Sequence, residues 1–315
     1  MKLLISRRLP ESVMAAAEAR FDVTCRASTQ PMTHEECIAA LADYDAVLPT
    51  LGDAFRAEAF AAVPEPRCGL LANFGAGFNH IDVAAARAIG IEVTNTPGAV
   101  TDATADIALT LILMTARRAG EGERLVRSGG WTGWHPTQLL GLHVSGRTVC
   151  IIGMGRIGQA IARRCHFGFG CRVVYVNRSR KTVDFPAEQM EMTDALALAD
   201  VVVVATPGGA ETHHLVGADV FAAMQPHAIF VNIARGDIVD EAALIAALQA
   251  GRIAGAGLDV YEFEPEVPEE LRVMENVTLL PHLGTSALEP REDMGRMALE
   301  NVIAYAEERD VPNPV

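Results

Sequence analysis

The chain has 315 residues, 50% of them hydrophobic, and a formal net charge of −14 at pH 7. Its length is typical of two domains, and its negative charge argues against nucleic acid as a partner. No apolar run approaches the roughly 20 residues of a membrane span, and the apolar stretch near the start is too short for a signal peptide. We therefore expect a cytoplasmic protein that does not bind a membrane.

The first 98 residues predict a small α/β unit. Strands are predicted at residues 3–6, 46–49 and 69–72, and helices at residues 10–19 and 33–42. The loop that follows contains Gly75 and Gly77 and leads into a helix at Asp82. Glycines in such a loop allow backbone N–H groups to face a small anion, although an ordinary strand-to-helix turn is the alternative interpretation.

A long helix is predicted at residues 103–118, because Ile107, Leu111 and Met114 recur at helical spacing. It follows a Pro-Gly pair at residues 97–98 and indicates a crossover into a second domain. Trp131 and Trp134 then lie in a polar and aromatic segment. This segment is predicted to be either a dimer arm or a surface loop.

Residues 148–180 predict a β-α-β unit around which the second domain is organised. Apolar strands are expected at residues 149–152 and 173–176, with helical residues at 160–164 between them. Gly153, Gly155 and Gly158 match the G-x-G-x-x-G pattern, which places a pyrophosphate at the N-terminus of the helix. The unit therefore predicts a dinucleotide site.

The end of the second strand indicates which dinucleotide is bound. Asn177 stands where a carboxylate would bind the ribose 2′-hydroxyl of NAD, and Arg178, Ser179 and Arg180 follow it. No carboxylate is present there to repel a 2′-phosphate, and two guanidinium groups are available to bind one. The segment favours NADP(H), with NAD(H) also possible; a solvated basic turn is the alternative interpretation.

Four apolar strands farther along the chain are followed by polar residues, namely Thr206, Arg235, Asp259 and His282. In open parallel sheets, ligands bind at the edge where such strand ends meet. There Arg235 can bind a carboxylate, and His282 can protonate a carbonyl oxygen while hydride reaches the carbon, with Glu264 fixing its tautomer. Each residue alone has an ordinary structural explanation, but their joint placement beside a dinucleotide site predicts catalysis.

These motifs resemble those of the D-2-hydroxyacid dehydrogenase family, and within it the NADPH-dependent glyoxylate and hydroxypyruvate reductases. The resemblance rests on residues 75–82, 153–158, 232–239, 254–260, 264–265 and 281–284. It implies an α/β protein of two doubly wound parallel-sheet domains, in which a Rossmann nucleotide domain is inserted into a smaller flavodoxin-like substrate domain. The implied bounds are 1–98 with 285–315 for the substrate domain and 99–284 for the nucleotide domain, and the implied assembly is a homodimer.

The same resemblance implies roles for individual residues. Arg235 would orient the substrate, His282 would be the acid/base, and Glu264 would be its partner, while Leu51, Ala76 and Gly77 would join Arg235 and His282 in binding the substrate. No metal is expected. The residues implied to contact the cofactor are Thr104, Gly153, Gly155, Arg156, Ile157, Gly158, Asn177, Arg178, Ser179, Arg180, Thr206, Pro207, Ile233, Ala234, Asp259 and Gly284.

The implied function is hydride transfer from NADPH to a small 2-oxoacid, glyoxylate or hydroxypyruvate, giving glycolate or D-glycerate. Small and apolar residues near the expected substrate site favour a short substrate. Two alternatives stay open: a broad-range reductase of bulkier 2-oxoacids, and a co-repressor-like binding protein that senses a dinucleotide. Formate dehydrogenase is disfavoured, because that relative pairs its histidine with glutamine and this chain has Glu264.

Overall fold

A computed structural model of the protein describes residues 1–315 and divides the chain into two compact units. The first unit comprises Met1–Val100 and Thr285–Val315, and the second comprises Thr101–Gly284. Each unit has one parallel sheet, so the predicted α/β fold class is confirmed. None of the helices combines the length and the apolar character that a membrane crossing requires.

Twelve strands and twelve α-helices make up the two units. The strands are β1 (Lys2–Ile5), β2 (Asp22–Cys25), β3 (Ala46–Leu48), β4 (Leu70–Ala72), β5 (Glu92–Thr94), β6 (Thr148–Ile152), β7 (Arg172–Val176), β8 (Ala187–Gln189), β9 (Val201–Val204), β10 (Ile229–Asn232), β11 (Gly255–Leu258) and β12 (Val277–Leu279). The helices are α1 (Glu11–Glu18), α2 (His34–Asp43), α3 (Ala57–Ala62), α4 (Val83–Ala88), α5 (Thr101–Ala116), α6 (Ala119–Arg127), α7 (Arg156–Phe169), α8 (Met192–Leu198), α9 (Ala218–Ala223), α10 (Glu241–Gln249), α11 (Glu269–Val273) and α12 (Leu288–Ala306).

The first unit has the strand order β2-β1-β3-β4-β5, which is the flavodoxin-like order. Its buried strands read as continuous apolar runs, as parallel sheets covered by helices do. Helix α12, from the end of the chain, packs on α1 and β4 of this unit. The last residues of the chain also pair with β5, through Val315 and Val93.

The second unit has the order β12-β11-β10-β9-β6-β7-β8. Along β9, Val201 and Val203 face one buried cluster with α5 and α7, while Val202 and Val204 face another with α8, α9 and α10. The chain order reverses between β6 and β9, which are hydrogen-bonded neighbours. This reversal is the topological switch point at which open α/β sheets bind ligands.

The structure adds elements that the sequence analysis does not predict, among them β2, β8 and α6. Their side chains alternate in exposure or bury little, so they carry a weak hydrophobic pattern. Helix α7 is also much longer than the predicted 160–164 and begins directly after Gly155. The long helix α5 ends at Ala116, ahead of the predicted residue 118, and Arg118 takes the left-handed conformation with φ of 52°.

The six cysteines are all free, and five of them are buried. Burial raises the pKa of the thiols of Cys37, Cys68, Cys150 and Cys165 to about 12, so they are unreactive at neutral pH.

Candidate active site

The three glycines after β6 have different physical reasons to be glycine. Gly153 has φ of +101°, and a Cβ there would lie 2.7 Å from the backbone nitrogen of Thr206. A Cβ on Gly158 would lie 2.1 Å from the carbonyl oxygen of Gly153, whereas one on Gly155 would meet nothing within 4 Å. The first and third glycines are therefore required by packing within the protein, and the second leaves its space open to a ligand.

Helix α7 begins at this open space. Gly155 is its N-cap, and no side chain caps the helix, so the first backbone N–H groups at Arg156 and Ile157 have no partner within it. Free N–H groups and the positive end of the helix dipole together favour an anion. The pyrophosphate of a dinucleotide fits this arrangement.

The segment after β7 is tied to the glycine turn by Asn177. Its Oδ1 accepts the backbone N–H of Met154 at 3.1 Å, and its Nδ2 donates to the carbonyl of Ser179 at 2.7 Å. Arg180 forms no ion pair, but Arg178 pairs through Nη1 with Oε2 of Glu211 at 2.7 Å. The side chains of Arg178 and Glu211 are 90% and 81% exposed, so this pair is open to exchange with another anion.

The other residues implied to contact the cofactor lie around the carboxyl edge of the same sheet. Thr206 follows β9, and its Oγ1 is buried without a hydrogen-bond partner. Ile233 and Ala234 are buried just beyond β10. A Cβ on Gly284 would lie 3.5 Å from Oγ1 of Thr104, so these two positions are neighbours.

Asp259 is buried beyond β11 and binds three successive backbone N–H groups. Its carbonyl oxygen accepts from His282 at 2.9 Å, Oδ1 accepts from Leu283 at 2.6 Å, and Oδ2 accepts from Gly284 at 2.8 Å. Burial raises the pKa of Asp259, while the two bonds to its carboxylate oppose that shift. His282 takes the left-handed conformation with φ of 54°. Because both carboxylate oxygens are engaged by backbone, Asp259 positions the His282 segment, a role that the sequence analysis did not include.

His282 and Glu264 form a direct pair. Nδ1 of His282 lies 2.9 Å from Oε2 of Glu264, and the other oxygen, Oε1, accepts the backbone N–H of Tyr261 at 3.1 Å. When Glu264 is ionised it can only accept, so Nδ1 of the imidazole carries the donated hydrogen. Nε2 is therefore the nitrogen left for chemistry with another molecule.

Arg235 follows β10 and lies within electrostatic reach of that pair. Its Nη1 donates to the carbonyl of Ala234 at 2.6 Å, and its own carbonyl accepts from Nδ2 of Asn232 at 2.9 Å. Burial lowers the pKa of Arg235, and the charges of Glu264 and Asp237 act in the opposite direction. The structure thus brings the three predicted catalytic residues together at one edge of the sheet.

In the first unit, the loop carrying Ala76 and Gly77 is held through its carbonyl groups. The buried Asn73 donates from Nδ2 to the carbonyls of Gly75 and Gly77, both at 3.0 Å, and Asn95 donates to the carbonyl of Ala76 at 2.8 Å. Neither Ala76 nor Gly77 donates its own N–H within the protein. These two N–H groups are therefore available to an anion, and Asn73 and Asn95 are positioning residues that the sequence did not single out.

Leu51 lies in a turn of the first unit and is partly exposed. The carbonyl of Leu51 accepts from Nη1 of Arg7 at 2.6 Å, and the neighbouring N–H of Thr50 donates to Oδ2 of Asp53 at 2.7 Å. Asp53 is fully buried and forms an ion pair with Arg7 at 3.2 Å. A buried ionic network thus sets the conformation of this turn.

Comparison with known proteins bears on the identity of this site. The family model for the D-isomer specific 2-hydroxyacid dehydrogenase NAD binding domain matches residues 109–284. A glyoxylate reductase from Thermococcus onnurineus is 42% identical over 311 residues, covering 96% of this chain and 92% of that protein. The chain belongs to the D-2-hydroxyacid dehydrogenase family. Its second unit is therefore the nicotinamide dinucleotide-binding part of an oxidoreductase.

Solved structures support the same family for this dehydrogenase. A protein from Thermus thermophilus has a TM-score of 0.93 and 39% identity, and the match covers 100% of both chains. The NADPH-dependent glyoxylate/hydroxypyruvate reductase from Sinorhizobium meliloti, solved with NADP and malonate, has a TM-score of 0.87 and 35% identity. That match covers 100% of this chain and 96% of the other.

The close approach of two loops at Gly236 leads to a testable prediction. A Cβ at Gly236 would lie 1.8 Å from the carbonyl carbon of Tyr261, so Gly236→Ala must displace the loop that carries Glu264 or the one that carries Arg235. We expect dehydrogenase turnover to fall by about 10²-fold, because small displacements of catalytic groups have effects of that size.

Gly217→Ala is the matched control, because the nearest atom to a Cβ there is 4.0 Å away. Initial rates and circular dichroism of both variants separate loss of the site from loss of the fold. A folded Gly236→Ala variant with normal turnover would contradict the placement of the Arg235 and Glu264 loops in the active site.

Proposed function

We propose that this D-2-hydroxyacid dehydrogenase reduces glyoxylate and hydroxypyruvate with NADPH, giving glycolate and D-glycerate. The observation that carries the proposal is the His282–Glu264 pair, whose Nδ1–Oε2 distance is 2.9 Å. It lies with Arg235 on the edge of the sheet where the glycine turn leaves room for a dinucleotide. An acid, a carboxylate-binding cation and a hydride source are the groups that reduction of a 2-oxoacid requires.

A nicotinamide cofactor held at the glycine turn would supply the hydride that reduces the substrate carbonyl. His282 donates the proton from Nε2 to the carbonyl oxygen as negative charge develops there. Glu264 keeps the ring in the required orientation through Nδ1 and stabilises the imidazolium form that donates. The guanidinium of Arg235 binds the substrate oxygens, since its planar fork suits a carboxylate and the adjacent carbonyl.

The N–H groups of Ala76 and Gly77 are the proposed donors to the substrate carboxylate. Three carbonyls of their loop are bound by Asn73 and Asn95, and neither N–H group donates a hydrogen bond within the protein. Leu51 is proposed to contact the substrate from a turn braced by Arg7. Backbone donors and one aliphatic side chain favour a short substrate. The glyoxylate reductases among the relatives support the same choice, since glyoxylate is a short 2-oxoacid.

The role of His282 is tested by His282→Ala. We expect turnover of glyoxylate to fall by about 10²-fold or more, the range for loss of a general acid. His227→Ala is the control, since His227 also pairs with a carboxylate, that of Asp200, at 2.8 Å. Initial rates with glyoxylate, hydroxypyruvate, pyruvate and phenylpyruvate define both the role and the substrate range. Near-normal turnover in His282→Ala would exclude the acid role, and preference for phenylpyruvate would exclude the substrate assignment.

The preference for NADPH is proposed to depend on Arg178 and Arg180. A 2′-phosphate binds guanidinium groups by charge-assisted hydrogen bonds, and the end of β7 offers two of them with no carboxylate among residues 177–180. In the protein alone, Glu211 pairs with Arg178 at 2.7 Å. Glu211 therefore competes with the phosphate for Arg178, and its charge repels the phosphate as well.

Glu211→Gln tests this competition. We expect KM for NADPH to fall about two- to fivefold, which matches the small free energy of an exposed ion pair, with KM for NADH unchanged. Arg178→Ala should raise KM for NADPH only. Glu188→Gln is the control, since Glu188 pairs with Arg172 at the opposite end of β7. If Arg178→Ala changes KM for NADPH and KM for NADH equally, the proposed preference for NADPH is contradicted.

The proposed assembly is a homodimer formed through the second unit. Helix α6 buries none of its residues, and Trp131 and Trp134 in the following segment are exposed. Large exposed aromatic side chains are typical of protein–protein contacts. Analytical ultracentrifugation should find a dimer, and the double variant Trp131→Ser with Trp134→Ser should shift it toward monomer. A monomeric wild-type protein would contradict the proposal.

A further inference from the structure

Two adjacent histidines and a glutamate from a distant part of the chain meet on the surface of the second unit. One ligand atom from each of His213, His214 and Glu262 lies within 4.8 Å of the other two. Nε2 of His214 is 2.7 Å from Oε1 of Glu262, and the rings of His213 and His214 stack with centroids 4.0 Å apart. His214 and Glu262 are 48 positions apart in sequence, so only the fold brings them together.

Glu262 is the most firmly held of the three. Its side chain is largely buried, and its Oε2 accepts the backbone N–H of Glu241 at 3.2 Å. The N–H of Glu262 in turn donates to Oε1 of Glu241, whose pKa is raised by burial. One oxygen of Glu262 is thus fixed by backbone, and the other is directed toward the histidines.

The backbone of the two histidines is also fixed. The N–H of His213 donates to the carbonyl of Gly209 at 3.0 Å, and the N–H of His214 donates to the carbonyl of Asp237 at 2.9 Å. His214 takes the left-handed conformation with φ of 50°. Two residues later, Val216 pairs with Val239, which joins this segment to the one that follows Arg235. The backbone is therefore set, while the exposed rings can turn about their side-chain bonds.

We propose that His213, His214 and Glu262 bind one divalent transition-metal ion of the Zn²⁺ type. Two imidazole nitrogens and a carboxylate oxygen form a common ligand set for Zn²⁺, with a water molecule completing the tetrahedron. Mg²⁺ and Ca²⁺ prefer oxygen ligands, so this set selects against them. The inference departs from the sequence analysis, which expects no metal.

Binding requires only small adjustments. In a tetrahedral Zn²⁺ site the ligand atoms lie roughly 3.4 Å apart. The widest ligand pair, which includes His213, must therefore move closer together, and the His214 and Glu262 atoms must move apart. Rotation of the exposed His213 ring brings its nitrogen closer to the other ligands. The proton that Nε2 of His214 shares with Glu262 is replaced by one on Nδ1 through exchange with water, so the imidazole stays neutral and binds the metal through Nε2.

The position of the site gives the ion a structural effect. His213 and His214 belong to the segment that follows β9, and Glu262 precedes Glu264 by two residues in the segment that follows β11. An ion bound to all three would link these segments directly. Because the ion binds the folded chain only, it should also stabilise the protein against unfolding.

Isothermal titration with ZnCl₂ tests the proposal on the protein without cofactor or substrate. We expect saturable binding of one Zn²⁺ per chain, with affinity reduced at least about tenfold in His213→Ala and in Glu262→Gln. His213 is exposed, so that variant should fold normally. His227→Ala is the control, since it removes a histidine from a pair with a single carboxylate and should leave Zn²⁺ binding unchanged.

Thermal unfolding provides a second measurement that does not depend on catalysis. Zn²⁺ should raise Tm of the wild type and of His227→Ala but have little effect on Tm of His213→Ala. Mg²⁺ should not raise Tm of the wild type. The proposal would be overturned by the absence of saturable Zn²⁺ binding in the wild type, or by equal binding in His213→Ala. Neither outcome would bear on the proposed oxidoreductase function, because both measurements are made without substrate or cofactor and do not measure turnover.

Discussion

The geometry of the candidate active site depends on the buried carboxylate of Asp259. Three successive backbone N–H groups, from His282 to Gly284, converge on this one residue. Their bonds hold His282 in a left-handed conformation that an L-residue rarely adopts without such support. Burial of a charged carboxylate is costly, and the two donors to its oxygens, from Leu283 and Gly284, offset the cost. Asp259 thus sets the backbone conformation of the segment that carries His282.

Close backbone packing brings the remaining parts of the site together. Gly153 lets the turn after β6 lie against the end of β9, and Gly236 lets the Arg235 segment lie against Tyr261. In both places any side chain would occupy space that another backbone already fills. The resulting loops have little conformational freedom, so Arg235 and Glu264 are positioned by packing rather than by long side-chain networks.

Arg235 and Arg178 of the second unit differ in their exposure to solvent. The partly buried Arg235 lies within electrostatic reach of Glu264 in a chain of net charge −14. The exposed Arg178 instead pairs with Glu211, where solvent screens both charges. Solvent therefore weakens the ion pair of Arg178 more than it weakens the interaction of Arg235 with Glu264.

Much of the fold could be predicted because its apolar strands are continuous in sequence and its glycine turn has a fixed spacing. Both patterns are local, and the predicted α/β class with two parallel sheets is confirmed. Strands β2 and β8 and helix α6 could not be predicted, because they bury few side chains and so lack that pattern. The switch point between β6 and β9 likewise depends on strand order, which no local pattern encodes.

By itself, the sequence determined the class of fold and the residue types of a dinucleotide site with a His282, Glu264 and Arg235 set. Tertiary structure alone decided how those residues are held. Asp259, predicted to contact the cofactor, has both carboxylate oxygens bound by the backbone of residues far along the chain. Glu211 pairs with an arginine 33 positions away. The physical reason is that hydrogen bonds and ion pairs join atoms by their distance in space, which only packing of the strands and loops determines.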